Sequence, residues 1–358
     1  MPKCYSLLFI IIIIIAQGCH TAKPKVTKEE AIAFAHSLEH EVATRNPHAF
    51  DQVFDEDAFV KRVMEAGNGK LTGKDRGTIV KSLTQSKIGE QIVEGARSGT
   101  YELVKVYEKN DTQHVLFRLY GASGINYHDM LLVHAGKDVK VADMYIYYSS
   151  ENFSKTVADI LSQLLNYSDL NTDMVNTIKE MKKSQMNEEY ETALSYYNQL
   201  PDTLKKSKAF QMVHLIITSK INDSDYEKAL DEFSSLYPHE PGMNLQAIDI
   251  HITHKQYDKA GNDVDRLDSF INKDPFLDYY RALIYKQQND TAKMMTCLKN
   301  LYRNFPTFGE GIIELMAAYA REGDVAKAKK LVAVYRNNTK LNQKRLDIVL
   351  TAYPQVSN

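Results

Sequence analysis

His36, Glu39 and His40 are spaced so that two imidazoles fall one helical turn apart with a carboxylate between them. A helix with that spelling can hold Zn²⁺ through both rings and use the glutamate as a general base. Direction argues against it. At about 100° per residue, His36 and His40 lie roughly 140° and 180° from Ala31, which faces this helix's own core, and no third ligand is identifiable. Both histidines read as solvated, and a zinc hydrolase at His36/His40 stays a remote alternative. The segment 67–75 carries Gly67, Gly69, Gly73 and Lys74 in the outline of a phosphate-binding loop. Asn68 replaces its first glycine, Asp75 replaces its Mg²⁺-binding hydroxyl, and it follows a helix, so it reads as a turn. Asp129 and Asp143 sit in otherwise apolar strands beside Tyr127, Leu131, Val141 and Tyr145. A carboxylate desolvated in a cavity there has a raised pKa and suits general-base work. Asp129, Asp143, Tyr127 and Tyr145 are therefore the candidate cavity residues, although bonds to a hairpin backbone account for such acids equally well. Cys297 is expected as a buried structural thiol. No catalytic constellation emerges and no metal or cofactor is implied, so the chain is read as a non-enzyme.

The chain's ends and charges set where these residues work. An unbroken apolar stretch at 7–16 follows Lys3 and is too short for a helix to cross roughly 30 Å of hydrocarbon. It ends in Ala16-Gln17-Gly18-Cys19 and reads as a signal peptide over 1–18. The segment resembles the lipobox of bacterial lipoproteins, in the looser spelling of the Bacteroidetes group, with Ala16 where leucine is commonest and Gln17 where a small residue is usual. The resemblance implies that Cys19 is lipidated and that 19–26 is a tether. It places the protein in the bacterial cell envelope, lipid-anchored, on the outer membrane facing the periplasm. Plain secretion with a chance thiol at Cys19 is the other reading. Cys4 leaves with the signal and Cys19 would be acylated, so only Cys297 would remain and no disulfide is expected. With 44 Lys+Arg against 46 Asp+Glu and no long basic run, nucleic acid is not an expected partner.

Residues 27–150 must hold the strand carboxylates. Thr27-Lys-Glu-Glu30 spells a capping box, after which Ala31, Phe34, Ala35, Leu38 and Val42 share one helical stripe. A second helix is expected from Asn46-Pro47 and a third from the glycine-rich break to about Ala96. The period then changes to two, predicting strands at 101–107, 114–120, 126–134 and 140–148 joined by short antiparallel connections. Helices before a curled antiparallel sheet resemble the cone-shaped fold of nuclear transport factor 2 and ketosteroid isomerase. That resemblance implies an α+β domain with a cavity, usable by a small-ligand receptor or an enzyme, and says little of activity.

From 151 to 358 a repeat takes over. Aligning Tyr190, Tyr226, Tyr257, Thr291 and Val325 gives spacings of 36, 31, 34 and 34 residues. Small residues recur three positions on, at Ala193, Ala229, Ala260 and Ala328, with Met294 the exception. Tyr197, Phe233, Val264, Leu298 and Val332 follow in phase, and Leu200, Leu236, Leu267, Leu301 and Tyr335 after them. The period and pattern resemble tetratricopeptide repeats, which implies an all-α solenoid of helix pairs, closed by a capping helix over 341–353. It further implies a concave groove built from first helices, where the family's inward positions fall on His214, Thr218, Asp249, Tyr279, Lys286 and Arg321. The expected partner is a protein or peptide, with the bilayer engaged through Cys19.

Overall fold

The computed structural model describes residues 24–357 apart from 47, 51, 123, 167–171, 239 and 340. Cys19, the expected signal and the first part of the tether lie outside the described residues. Among the described residues no helix is long and apolar enough to cross a membrane.

The first helix, α1 (Lys28–Ala43), begins at the anticipated box: Glu30 N–H donates to Thr27 Oγ1 at 3.2 Å and Thr27 N–H donates to Glu30 Oε2 at 2.8 Å. Its stripe of Ala31, Ala35, Leu38 and Val42 is buried. The second helix does not start at Asn46. It starts as α2 (Glu56–Ala66), because Asp55 caps it by accepting from Ala58 N–H at 2.8 Å. The backbone on either side of Phe54 pairs instead with the later sheet, Asp55 N–H to Val141 O and Val141 N–H to Val53 O. The third expected helix is two, α3 (Arg76–Gln85) and α4 (Ile88–Gly95), broken at Lys87, whose φ of 51° is left-handed and cannot continue a helix.

Four long strands form an antiparallel meander, β1 (Thr100–Lys109), β2 (Thr112–Gly121), β3 (Gly124–Ala135) and β4 (Asp138–Ile146), extended by the two-residue β5 (Glu151–Asn152). Alternation divides the sheet into two faces. Val115, Phe117, Met130, Leu132, Val141 and Met144 pack on α1, α2 and a further helix, α5 (Phe153–Asn166). Phe153 lies 5.2 Å from the Phe59 ring and 6.2 Å from Phe54. The first packing unit thus runs past the boundary expected at 150, because an apolar helix face directly follows the last strand.

The remainder is helical: α6 (Thr172–Met186), α7 (Tyr190–Asn198), the single turn α8 (Asp202–Lys205), α9 (Lys208–Thr218), α10 (Asp223–Leu236), α11 (Pro241–Thr253) and α12 (Tyr257–Phe270). There follow α13 (Asp278–Gln287), α14 (Thr291–Asn304), α15 (Gly309–Arg321), α16 (Val325–Asn337) and α17 (Gln343–Ala352). They pack as successive pairs, α6/α7, α9/α10, α11/α12, α13/α14 and α15/α16, each second helix touching the first helix of the next pair. Four of the five pairs close with the same turn. Glu188, Lys255, Asn289 and Gly323 have positive φ, and the next residue's N–H reaches back five positions, to Ser184, His251, Tyr285 and Tyr319. This left-handed C-terminal stop sets each second helix antiparallel to its partner. The α9/α10 turn lacks it and holds Thr218 and Asn222 in its place. The in-phase residues are buried as their pattern requires, Ala193, Ala229, Ala260 and Ala328 completely, and Met294 is accommodated in the core. Leu236 is the exception, left exposed because α10 ends there and Tyr237 packs on Phe233 in its stead.

Candidate functional site

The second face of the sheet does not open on water. Leu116, Ile125, Tyr127 and Tyr147 share one apolar cluster with Leu245, Ile248, Ile271 and Tyr280 of the helical region. Tyr120 meets the Phe276 and Phe308 rings at 5.1 and 5.3 Å. Arg118 is 1% exposed and donates to both oxygens of Asp274, which also accepts from Tyr127 Oη at 3.0 Å. The Arg118 guanidinium stacks over Phe276 and Phe305. Gly242 N–H donates to Ser150 Oγ, and Gln246 donates to Tyr148 O at 3.1 Å. A Cβ at Gly242 would stand 2.4 Å from Tyr148 O, so only glycine lets α11 come this close.

The expected cavity residues are therefore separated by packing. Asp143 is buried and turned to the start of α5, accepting from Ser154 N–H, Ser154 Oγ and Met144 N–H; burial raises its carboxyl despite those bonds. Tyr127 is sealed on Asp274. Asp129 and Tyr145 pair across β3 and β4, where Asp129 accepts from Tyr107 Oη and bonds His114 Nδ1 at 2.9 Å. Glu39 serves the sheet, accepting Leu103 N–H at 2.9 Å, while His36 and His40 are exposed. Among the described residues no group of three His, Cys, Asp or Glu converges as a metal site. The segment 67–75 is a turn into a short 3-10 helix that Thr72 and Asp75 cap. Cys297 is half-buried on α14, and burial pushes its thiol up to about 11.

The expected groove positions fare unequally. Tyr279 is packed against Tyr120 and Phe308. Thr218 is buried, its hydroxyl donating to His214 O, and the His214 ring stacks on Tyr197 at 4.4 Å. Lys286 pairs with Glu314 at 2.7 Å, and Arg321 donates to Tyr353 Oη at 3.4 Å. The sheet and the loop after β4 pack at the N-terminal ends of α11, α13 and α15. Asp249 lines an open cleft.

That cleft, of about 500 Å³, lies between the β2–β3 hairpin and the C-terminal halves of α9 and α11. Its walls include Leu119, Ile125, Ile216, Ile250 and Tyr226. A wider opening of about 1080 Å³ continues from it past Gly95 and Ala122, between α4 and the Lys182–Met186 end of α6. Together they make a trough along the first three pairs. Gly124 has a φ of 86°, and a Cβ there would stand 3.3 Å from Asp249 Oδ2 and 3.8 Å from Tyr280 Oη. The turn residue thus brings the hairpin backbone against the carboxylate. Among the described residues no side chain bonds the Asp249 carboxylate; it meets solvent through the cleft, and the protein crowding it raises its pKa. Burial raises the hydroxyls of Tyr120, Tyr226 and Tyr280, and the nearby Asp249 charge raises them further. An exposed acid in a cleft whose wall also carries Leu119, Ile125, Ile216 and Ile250 can pair with a cation that has apolar neighbours. Asp249 was among the positions that the tetratricopeptide resemblance implied. Gly124, Ile216 and Tyr226 were not, because their meeting depends on how the sheet docks. No family model, no curated protein and no solved structure matches the chain.

Proposed function

We propose that this chain is a lipid-anchored protein of the bacterial envelope, acylated at Cys19, that binds a polypeptide in the trough beside its β2–β3 hairpin. On this reading the helix pairs are a tetratricopeptide-type solenoid, and the first unit is a cone-like domain that has become part of the groove wall. Support for the array comes from four identical turns and from in-phase burial of its small and apolar residues. The observation that carries the function is the trough itself, which passes α6, α9 and α11 with a lining of mixed polar and apolar residues and the unbonded Asp249 carboxylate among them. Its extended shape suits a chain segment better than a compact metabolite. Anchoring then raises the local concentration of the adaptor for partners near the same membrane.

A photo-crosslinking residue at Ile216 or Thr253, on the trough, is compared in intact cells with one at Ile348, which is exposed on α17. The same polypeptide adduct from both trough positions and none from Ile348 supports the reading. Adducts that ignore position refute it. Labelling with a radioactive fatty acid, lost in Cys19→Ser, tests the anchor separately.

A further inference from the structure

We infer that the segment held in the trough presents a lysine or arginine side chain to Asp249, flanked by apolar residues; this rests on the trough being a polypeptide site. The charges around the cleft decide the sign. Asp223, the other acid in its lining, lies 3.7 Å from His254 Nε2, so it is engaged on the far side of the α9/α10 turn. Lys220 stands at the rim, past the end of α9. Asp249 lies against Gly124 of the hairpin, with the Tyr226 and Tyr280 hydroxyls nearby. The Asp249 carboxylate is exposed in the cleft with no side-chain partner among the described residues, and a cation from outside can pair with it while its methylene stem lies along Ile216 and Ile250. An acidic segment would instead meet like charge there.

The test is selection from a phage-displayed random heptapeptide library on the intact protein. The recovered peptides should be enriched in Lys or Arg at one position, with apolar residues beside it. Asp249→Asn, which keeps shape and loses charge, should reduce binding of the selected peptides up to about fivefold, the size of one exposed ion pair. Thr253→Lys, one turn away and exposed, should do the same without touching Asp249, and it serves if Asp249→Asn fails to fold. Lys220→Ala should leave binding equal or tighter. Recovered peptides with no basic preference, or unaltered by both charge variants, overturn the cationic assignment and leave the trough standing. Recovery of no peptide at all overturns the trough together with it.

Discussion

Arg118 of β2 and Asp274, 156 residues later in the chain, form a doubly hydrogen-bonded ion pair at 2.9 and 2.7 Å in which neither side chain is more than 2% exposed. It joins the sheet to the loop between α12 and α13. Both charges are removed from water, and with Asp274 neutralised Arg118 keeps only the half-exposed Glu102, so the loss should cost about 3 kcal/mol, the lower end for breaking a buried pair. Asp274→Asn should therefore lower unfolding free energy by that order in urea denaturation. The Arg118→Met, Asp274→Leu double variant should recover a large part of it. Additive losses in the pair of variants would mean that the two residues are not coupled.

Two helical glycines should respond to alanine in opposite directions. Gly261 in α12 has open space where a Cβ would go, so Gly261→Ala should stabilise by up to about 1 kcal/mol through helix propensity. At Gly242 the same change drives a methyl into Tyr148 O and Tyr147 O and should cost about 1–3 kcal/mol. Thermal melting of both variants checks the signs. A stabilised Gly242→Ala would show that α11 does not press on the sheet as described.

Acid should weaken the first unit through His128. This imidazole is buried, and burial lowers its pKa to about 4. Asn126 Oδ1 accepts two backbone N–H groups, so its amide nitrogen faces His128 Nε2 at 3.1 Å and requires a lone pair there. The folded protein thus holds the ring neutral, while the unfolded chain protonates it near pH 6.5. Its contribution to stability is complete above pH 6.5 and is lost as pH falls towards 4, at up to about 1.4 kcal/mol per unit. His128→Gln should flatten the stability profile in that window relative to the parent, measured by urea denaturation at several pH values. Parallel profiles would contradict the neutral assignment.

How much of this was readable beforehand depends on where contacts are made. The helix pairs were legible because burial of Ala260, Val264 and Leu267 is decided within one repeat and its neighbour, so the phase alone locates them. The strands of the meander were legible for the same local reason. The docked second face was not. Arg118 and Tyr120 fall at the alternate positions of β2, which a half-exposed sheet turns to solvent, and nothing local says that helices 130 or more residues away will cover them. One signal was present: Val115-Leu116-Phe117 is a continuous apolar run, the mark of a strand buried on both sides. Asp129 and Asp143 looked alike in sequence yet differ in fate, one bonded to Tyr107 and His114, the other capping α5, because a register shift at Leu131/Leu132 changes which way β3 and β4 present their side chains.

Hydrogen exchange of the intact protein, with and without a library-selected heptapeptide, tests the central claim most directly. If a polypeptide lies in the trough, amides of the β2–β3 hairpin and of the C-terminal ends of α9 and α11 slow on binding, while those of α16 and α17 keep their rates. Slowing confined to α13–α17, or to none of these segments despite saturation, would contradict it.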